Sequence, residues 1–240
     1  MTAVKLRELH VPGSPLVLPN AWDADSARLV VEAGFPVVAT SSAAIAESLG
    51  HADGQGAPIA EMFAAAARIT RVVDVPVTVD AESGYGLGAA ELAGRLLEIG
   101  VVGCNLEDTV PGHGVRPIGE QAELLGSLRA AAGDGLVINA RVDVFLGAEN
   151  EKAVLDEAVE RARAYLDAGA DCVYPILVRS PEVLREFVAA VSPAAVNATL
   201  WPGGPRRAEL AELGVARISL GAGLWRAARV WLAERLADLG

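Results

Sequence analysis

Short runs rich in β-branched residues alternate along the chain with longer stretches in which apolar residues recur every three to four positions. The short runs are LVLPNAW (16–22), PVVATSS (36–42), PVTVDAE (76–82), GCNLEDT (103–109), LVINARV (136–142), CVYPIL (172–177), AAVNATL (194–200) and RISLG (217–221). Each reads as a buried strand, and the stretches 24–33, 58–73, 87–99, 118–132, 149–168, 181–190, 205–213 and 222–238 read as the helices that follow. "EAGF", "EIGV", "DAGA" and "ELGV" place Gly where a helix should end in a left-handed cap and the next strand begin. Eight βα units predict an α/β fold with the strands closed into a (β/α)8 TIM-type barrel, a single domain over 1–240 with a short extension before residue 16. An open doubly wound sheet is the alternative. It lacks its usual nucleotide-binding reasons, because no GxGxxG follows the first run and no GKS/GKT loop is present.

Two connections are long and Gly-rich: "AAIAESLGHADGQGA" after the second run and "VPGHGVRPIG" after the fourth. A barrel sets both over its C-terminal mouth, where they could serve as lids. The first 15 residues lack the apolar segment of a signal peptide, and no window is apolar for the roughly 20 residues that span a bilayer. A cytoplasmic protein is therefore expected. With 52% hydrophobic residues the chain can bury a large core, and its charge of -11 arises from 31 acids against 20 bases. Nucleic acid and anionic membranes are thus poor partners. Cys104 and Cys172 lie inside strand runs with no metal-type spacing and read as buried free thiols.

Acidic residues change the picture more locally. Asp80 and Glu82 alternate at the end of the third strand and should share a face, with Glu107 at the end of the adjacent fourth. Carboxylates converging at a barrel mouth raise one another's pKa or recruit a cation, and hard oxygen donors without His or Cys point to Mg²⁺ or Mn²⁺. Arg141, in the equivalent place on the fifth strand, would bind a substrate carboxylate or phosphate; the alternative is a structural salt bridge to Glu107 or a neighbouring acid. Ser41 and Ser42 offer hydroxyls and amides to an anion, or simply cap the strand. Lys5 and Lys152 are the only lysines and neither belongs in a mouth, so a Schiff-base mechanism is disfavoured. His10 reads as a surface residue, and His51 and His113 fall in the long loops. No Gly-x-Ser-x-Gly elbow is present.

The pieces LPNAWDADSARLVVEAGF, ATSSAAIAESLGHADG, PVTVDAESGYG, GCNLEDT, INARVDVF and AYLDAGADCVY occur in an order that resembles the isocitrate lyase / phosphoenolpyruvate mutase superfamily over nearly the whole length. The resemblance implies a barrel that binds Mg²⁺ and a small 2-oxo acid or its enolate. It assigns the metal environment to Asp53, Asp80, Glu82 and Glu107, and the substrate carboxylates to Ser41, Ser42, Ala43 and Arg141, with Asn197 facing the substrate. Many relatives carry Asp where this chain has Glu82. The lyases carry a Lys-Lys-Cys-Gly-His loop after the "ED" strand where this chain has "TVPGHGVRPIG", and the mutases carry a longer loop with Lys and Asn. Thiol-dependent cleavage and phosphorus–carbon rearrangement are therefore disfavoured. The expected activity is metal-assisted cleavage of a bond next to the carbonyl or carbinol of a small 2-oxo or 2-hydroxy di-acid, as in an oxaloacetate decarboxylase or a carbon–carbon lyase. Catalytic roles would fall to Glu107 and Arg141, and to His113 as a proton donor to the product. Alternatives are a phosphonopyruvate hydrolase or mutase-type activity, or a barrel that only binds a metabolite. Relatives often extend well past the eighth helix and some exchange that helix between subunits, so a homo-oligomer is expected, its mode left open.

Overall fold

The computed structural model describes residues 2–239. Its parallel strands are β1 (Leu16–Leu18), β2 (Asn20–Ala21), β3 (Val38–Thr40), β4 (Val77–Asp80), β5 (Gly103–Leu106), β8 (Val137–Val142), β9 (Cys172–Pro175), β10 (Ala195–Thr199) and β11 (Arg217–Ser219); β6 (Thr109–Val110) and β7 (Gly114–Val115) form a separate antiparallel hairpin. The expected (β/α)8 barrel is present. The first predicted strand is interrupted at Pro19, which has no N–H to give to a ladder. Its first half, β1, pairs with β11 (Leu16 opposite Arg217), and its second half, β2, pairs with β3 (Asn20 opposite Ala39), so one broken strand joins the two edges of the sheet.

The helices are α1 (Ala3–Glu8), α2 (Ala24–Glu32), α3 (Ser42–Ser48), α4 (Ile59–Thr70), α5 (Ala89–Glu98), α6 (Ile118–Ala132), α7 (Leu155–Asp167), α8 (Pro181–Val191), α9 (Arg207–Glu212) and α10 (Gly223–Ala237). Their inward faces carry fully buried Ile69, Leu92, Leu96, Leu125, Leu128, Tyr165 and Phe187. Burying each such side chain is worth about 1.5–3 kcal/mol, and that layer holds the barrel together.

Three expectations change. The segment before residue 16 is no mere extension. Its helix α1, capped by Thr2, sends Leu6 into the bottom of the barrel against Leu16, Leu18, Val37, Val102 and Val137. A Cβ at Gly103 would stand 2.8 Å from Leu6 Cδ2 and 3.0 Å from Thr78 Oγ1, so a larger residue in β5 would have to displace the plug's side chain. His10 is likewise not a surface residue: its Nδ1 lies 2.8 Å from the Leu6 carbonyl, and burial, reinforced by Arg217, lowers its pKa to about 4. The third concerns the loops. "AAIAESL" forms most of helix α3, capped by Ser41, and "VPGHGV" builds the β6–β7 hairpin, so both connections carry secondary structure of their own.

Helix α10 is the exception to inward packing, because none of its residues is buried. Val230, Trp231, Leu232 and Leu236 are at least half exposed. Beside its start, where Trp225 meets Trp22 at 5.2 Å, an apolar cavity of 380 Å³ lined by Val17, Leu29, Val30, Phe35 and Leu224 opens between strand and helix.

Candidate active site

At the C-terminal mouth a cavity of 190 Å³ is lined by Ser42, Asp53, Gly54, Glu82, Glu107, Thr109, Arg141, Asp143 and Leu146. Asp80 ends β4 and adjoins this group. Its backbone N–H donates to Thr40 Oγ1 at 3.0 Å and its Oδ2 accepts from Ser42 Oγ at 2.7 Å. Its Oδ1 is buried with no hydrogen-bond partner among the described residues.

Past Asp80 the alternation used to place Glu82 ends. The Ala81 N–H still donates to the Asn105 carbonyl at 3.1 Å, but Glu82 turns to φ 49°, followed by Gly84, Tyr85 and Gly86 at φ 92°, 57° and 69°. Left-handed backbone at Glu82 and Tyr85 is disfavoured for side chains with a Cβ and is a feature that clusters at functional sites. Glu82 therefore reaches the cavity from a tight turn and not from an extended strand. Its carboxylate accepts the backbone N–H of Gln55, which ties the loop after β3 to the site.

Burial, with the charge of Asp80 adding, raises the Glu82 pKa to about 7. Glu107 rises to about 8, again through burial, which outweighs the opposing pull of Arg141. Arg141 is engaged on two sides. Its Nη1 pairs with Glu107, its Nε and Nη2 each donate to Asp143 at 3.0 Å, and Asp80 Oδ1 stands 4.0 Å from Nη1. The salt-bridge alternative for Arg141 is thus realised, and one guanidinium offsets part of the charge of a four-carboxylate group.

The structure brings Ser42, Asp53, Asp80, Glu82, Glu107 and Arg141 together. Ser41 is buried one residue away and accepts the Ala44 N–H as the cap of α3, and Ala43 lies half-buried in the first turn of that helix. Asn197 and His113 stand apart. Asn197 is fully buried inside the barrel, where its amide donates to Ser219 Oγ at 3.0 Å, and it does not line the cavity. His113 is exposed in the turn of the β6–β7 hairpin, also outside the lining. Cys104 and Cys172 are free and fully buried, with pKa values pushed up to about 12 by burial, as expected of inert thiols.

No three His, Cys, Asp or Glu side chains among the described residues converge closely enough to hold a bare metal ion. The orphaned Asp80 oxygen and the hard-oxygen donors around it nonetheless fit a divalent cation of the Mg²⁺ type, which keeps several waters and needs only one or two direct carboxylates. Sequence reasoning did not name Gly54, Thr109, Asp143 or Leu146 of the lining, nor Gln55, and two of these bear on the site's polar groups. Asp143 follows Arg141 by two positions in "RVD", and that spacing was a usable signal for a shared face; Gln55, inside a Gly-rich loop, gave none.

Comparison with known proteins identifies the family. The family model described as phosphoenolpyruvate phosphomutase matches residues 6–239. An uncharacterized protein of Mycobacterium tuberculosis H37Rv, Rv1998c, is 34% identical over 94% of this chain and 86% of its own length. The 2,3-dimethylmalate lyase of Eubacterium barkeri is 33% identical over 89% of this chain and 77% of its own. Among solved structures, a Burkholderia cenocepacia J2315 protein provisionally described as a phosphonomutase superposes with a TM-score of 0.93 at 42% identity, covering 98% of this chain and 99% of that one. With the acids of the mouth in place and a family match spanning nearly every residue, the chain belongs to the isocitrate lyase / phosphoenolpyruvate mutase superfamily.

Proposed function

We propose that this chain, as a single barrel domain, is a Mg²⁺- or Mn²⁺-dependent enzyme that cleaves a carbon–carbon bond next to the carbonyl or carbinol of a small 2-oxo or 2-hydroxy di-acid. The observation that carries the reading is the buried mouth in which Glu82 and Glu107 have raised pKa values, Asp80 has an orphaned oxygen and Arg141 stands between them. Membership alongside a 2,3-dimethylmalate lyase supports a substrate of this class. Asp80, Glu82 and Glu107, with Asp53 on the facing loop, would hold the ion, largely through waters. The ion supplies electrostatic stabilisation of the negative charge that develops on the substrate oxygen as the adjacent bond breaks.

The chain's own residues do the rest. Arg141 binds a substrate carboxylate through Nη1, competing with Glu107 for that edge, while Asp143 fixes the opposite edge. Ser42 holds Asp80 in one orientation and presents its first-turn backbone to the cavity. The turn 82–86 and the loop around Gln55 are tied together at the side of the mouth by hydrogen bonds from Gln55 to Glu82 and Ser83. With no reactive thiol and no lysine near the mouth, release of CO₂ from a substrate such as oxaloacetate suits these residues better than a thiol-dependent lyase step.

The test is a panel of oxaloacetate, alkylmalates and phosphonopyruvate, assayed with Mg²⁺ and again after chelation. Turnover of an oxo or hydroxy di-acid should fall by about 10³-fold or more without the ion and return on its addition. Undiminished turnover by stripped protein would sink the metal reading. Oxalate binding without turnover of any panel member would leave a metabolite-binding barrel, and phosphate release from phosphonopyruvate would point to the hydrolase.

The exposed apolar face of α10 and the apolar cavity beside it support a homo-oligomer in which α10 packs on a second copy. Trp231→Glu should then lower the solution mass towards that of one 24.8 kDa chain. Wild-type protein that already sediments as a monomer would contradict this assembly.

A further inference from the structure

Arg141 is gripped by Asp143, a residue of the cavity wall that is itself held from outside the cavity. Both oxygens of Asp143 accept from its guanidinium at 3.0 Å, and Asp143 in turn occupies a 3-10 turn immediately after β8. The backbone N–H of Asp143 donates to Asp108 Oδ1 at 2.9 Å. Asp108 is fully buried. Its Oδ2 accepts from Tyr165 Oη at 2.7 Å and from Arg161 Nη1 at 3.3 Å, both on the outer helix α7. Arg161 also donates to the Arg116 carbonyl at 2.8 Å, and Arg116 reaches the Ser83 carbonyl at 3.0 Å in the turn that carries Glu82. Asp108, Tyr165 and Arg161 do not line the cavity.

A carboxylate with no exposed surface is costly to bury unless its partners are well placed. Here three donors from two different elements, β8's following turn and α7, meet on one carboxylate. The bond that matters most is the one to the Asp143 main chain, because it fixes the residue whose side chain grips Arg141.

We propose that Asp108, held by Tyr165 and Arg161, is a positioning unit that sets the guanidinium plane of Arg141 through Asp143, so that helix α7 governs substrate affinity without touching substrate. The inference rests on the reading of Arg141 as the carboxylate-binding group. Its consequence is a selective loss: a variant of this unit binds the substrate carboxylate less well, while groups that act on the breaking bond are untouched.

Tyr165→Phe tests this in the full chain, because it removes the hydroxyl on Asp108 and keeps the ring in the core. Oxalate affinity with Mg²⁺, read by calorimetry, should fall about 10-fold. For any substrate turned over, KM should rise with kcat unchanged, the pattern of lost uniform binding. Ile69→Val, in the buried core of α4 and away from the unit, is the comparison for plain destabilisation and should keep wild-type affinity. A second readout does not depend on oxalate. The Arg141 Nε–H resonance, assigned by its loss in Arg141→Lys, should exchange with water about 10-fold faster in Tyr165→Phe, as expected when a buried hydrogen bond is loosened. Unchanged exchange overturns the positioning unit, as does an affinity loss that simply tracks Tm in both variants. Failure of wild-type protein to bind oxalate would instead strike the reading of Arg141, with the exchange measurement still deciding this inference.

Discussion

Arg141→Ala should both destabilise the protein and abolish its affinity for an anionic substrate. Asp143 is 1% exposed and accepts both of its guanidinium hydrogen bonds from Arg141, while Glu107 is 9% exposed and pairs with the same group. Removing one partner of a buried pair strands the other, at a cost of about 3–5 kcal/mol. Some of that will be relieved at Glu107, whose raised pKa lets it take a proton. A stability loss near the lower end of that range, about 3 kcal/mol, is therefore expected in urea melts at pH 7. Binding of oxalate with Mg²⁺ should weaken by about 10³-fold, the scale of a desolvated charge-assisted pair. Arg141→Lys restores charge but not the two-pronged geometry, and should recover stability more than affinity. A variant Arg141→Ala that binds oxalate normally would remove this residue from the substrate site.

The second large effect is on pH dependence. Glu82 and Glu107 have pKa values of about 7 and about 8 in the folded protein, against 4.5 for the ordinary side chain. Between these limits the folded protein holds protons that the unfolded chain has released. The slope of unfolding free energy with pH is therefore negative there: this stabilisation is complete below about 4.5 and is lost as pH rises through 7 to 8. Metal-free protein should lose about 3 kcal/mol of stability between pH 5 and pH 8 on this account, less than the two shifts summed because the acids share one Arg141. A divalent ion should reverse the trend. Its binding requires deprotonated carboxylates, so Mg²⁺ should release about one proton per ion near pH 7 and stabilise more at pH 8 than at pH 6. Melts at three pH values with and without Mg²⁺, with Glu107→Gln as the variant lacking one titrating group, check both signs. A flat profile in the metal-free wild type would contradict the burial of these acids.

Asp80, Glu82 and Glu107 were legible because they lie at the ends of apolar runs, and runs of that kind in a repeated βα pattern have few ways to pack; Asp53, in a Gly-rich loop, came only from the family resemblance. Glu82 was found by the wrong argument: strand alternation placed it beside Asp80, whereas a left-handed turn delivers it to the cavity. Arg141 was found with both of its possible roles, and the structure realises the salt bridge that the substrate must share. Asn197 and His113 were carried by similarity of motif or by loop position alone, and neither signal reports which way a side chain faces or how far a hairpin stands from the mouth.

By itself the sequence determined a repeated βα pattern and favoured a closed barrel over an open sheet, since eight apolar runs with period-matched helices between them have few ways to bury every strand; closure itself came from the pairing of the broken first strand with both sheet edges. It also pointed to hard oxygen donors at the C-terminal mouth, and no Cys or Lys lines the cavity found there. Only the tertiary structure decided that α1 plugs the barrel floor, that α10 keeps its apolar face outward, and that Asp143, Asp108 and Tyr165 stand behind Arg141. These are contacts between residues far apart in the chain or on elements whose local pattern is satisfied either way. Local periodicity records which side of an element is apolar; what that side meets is set by the packing of the whole.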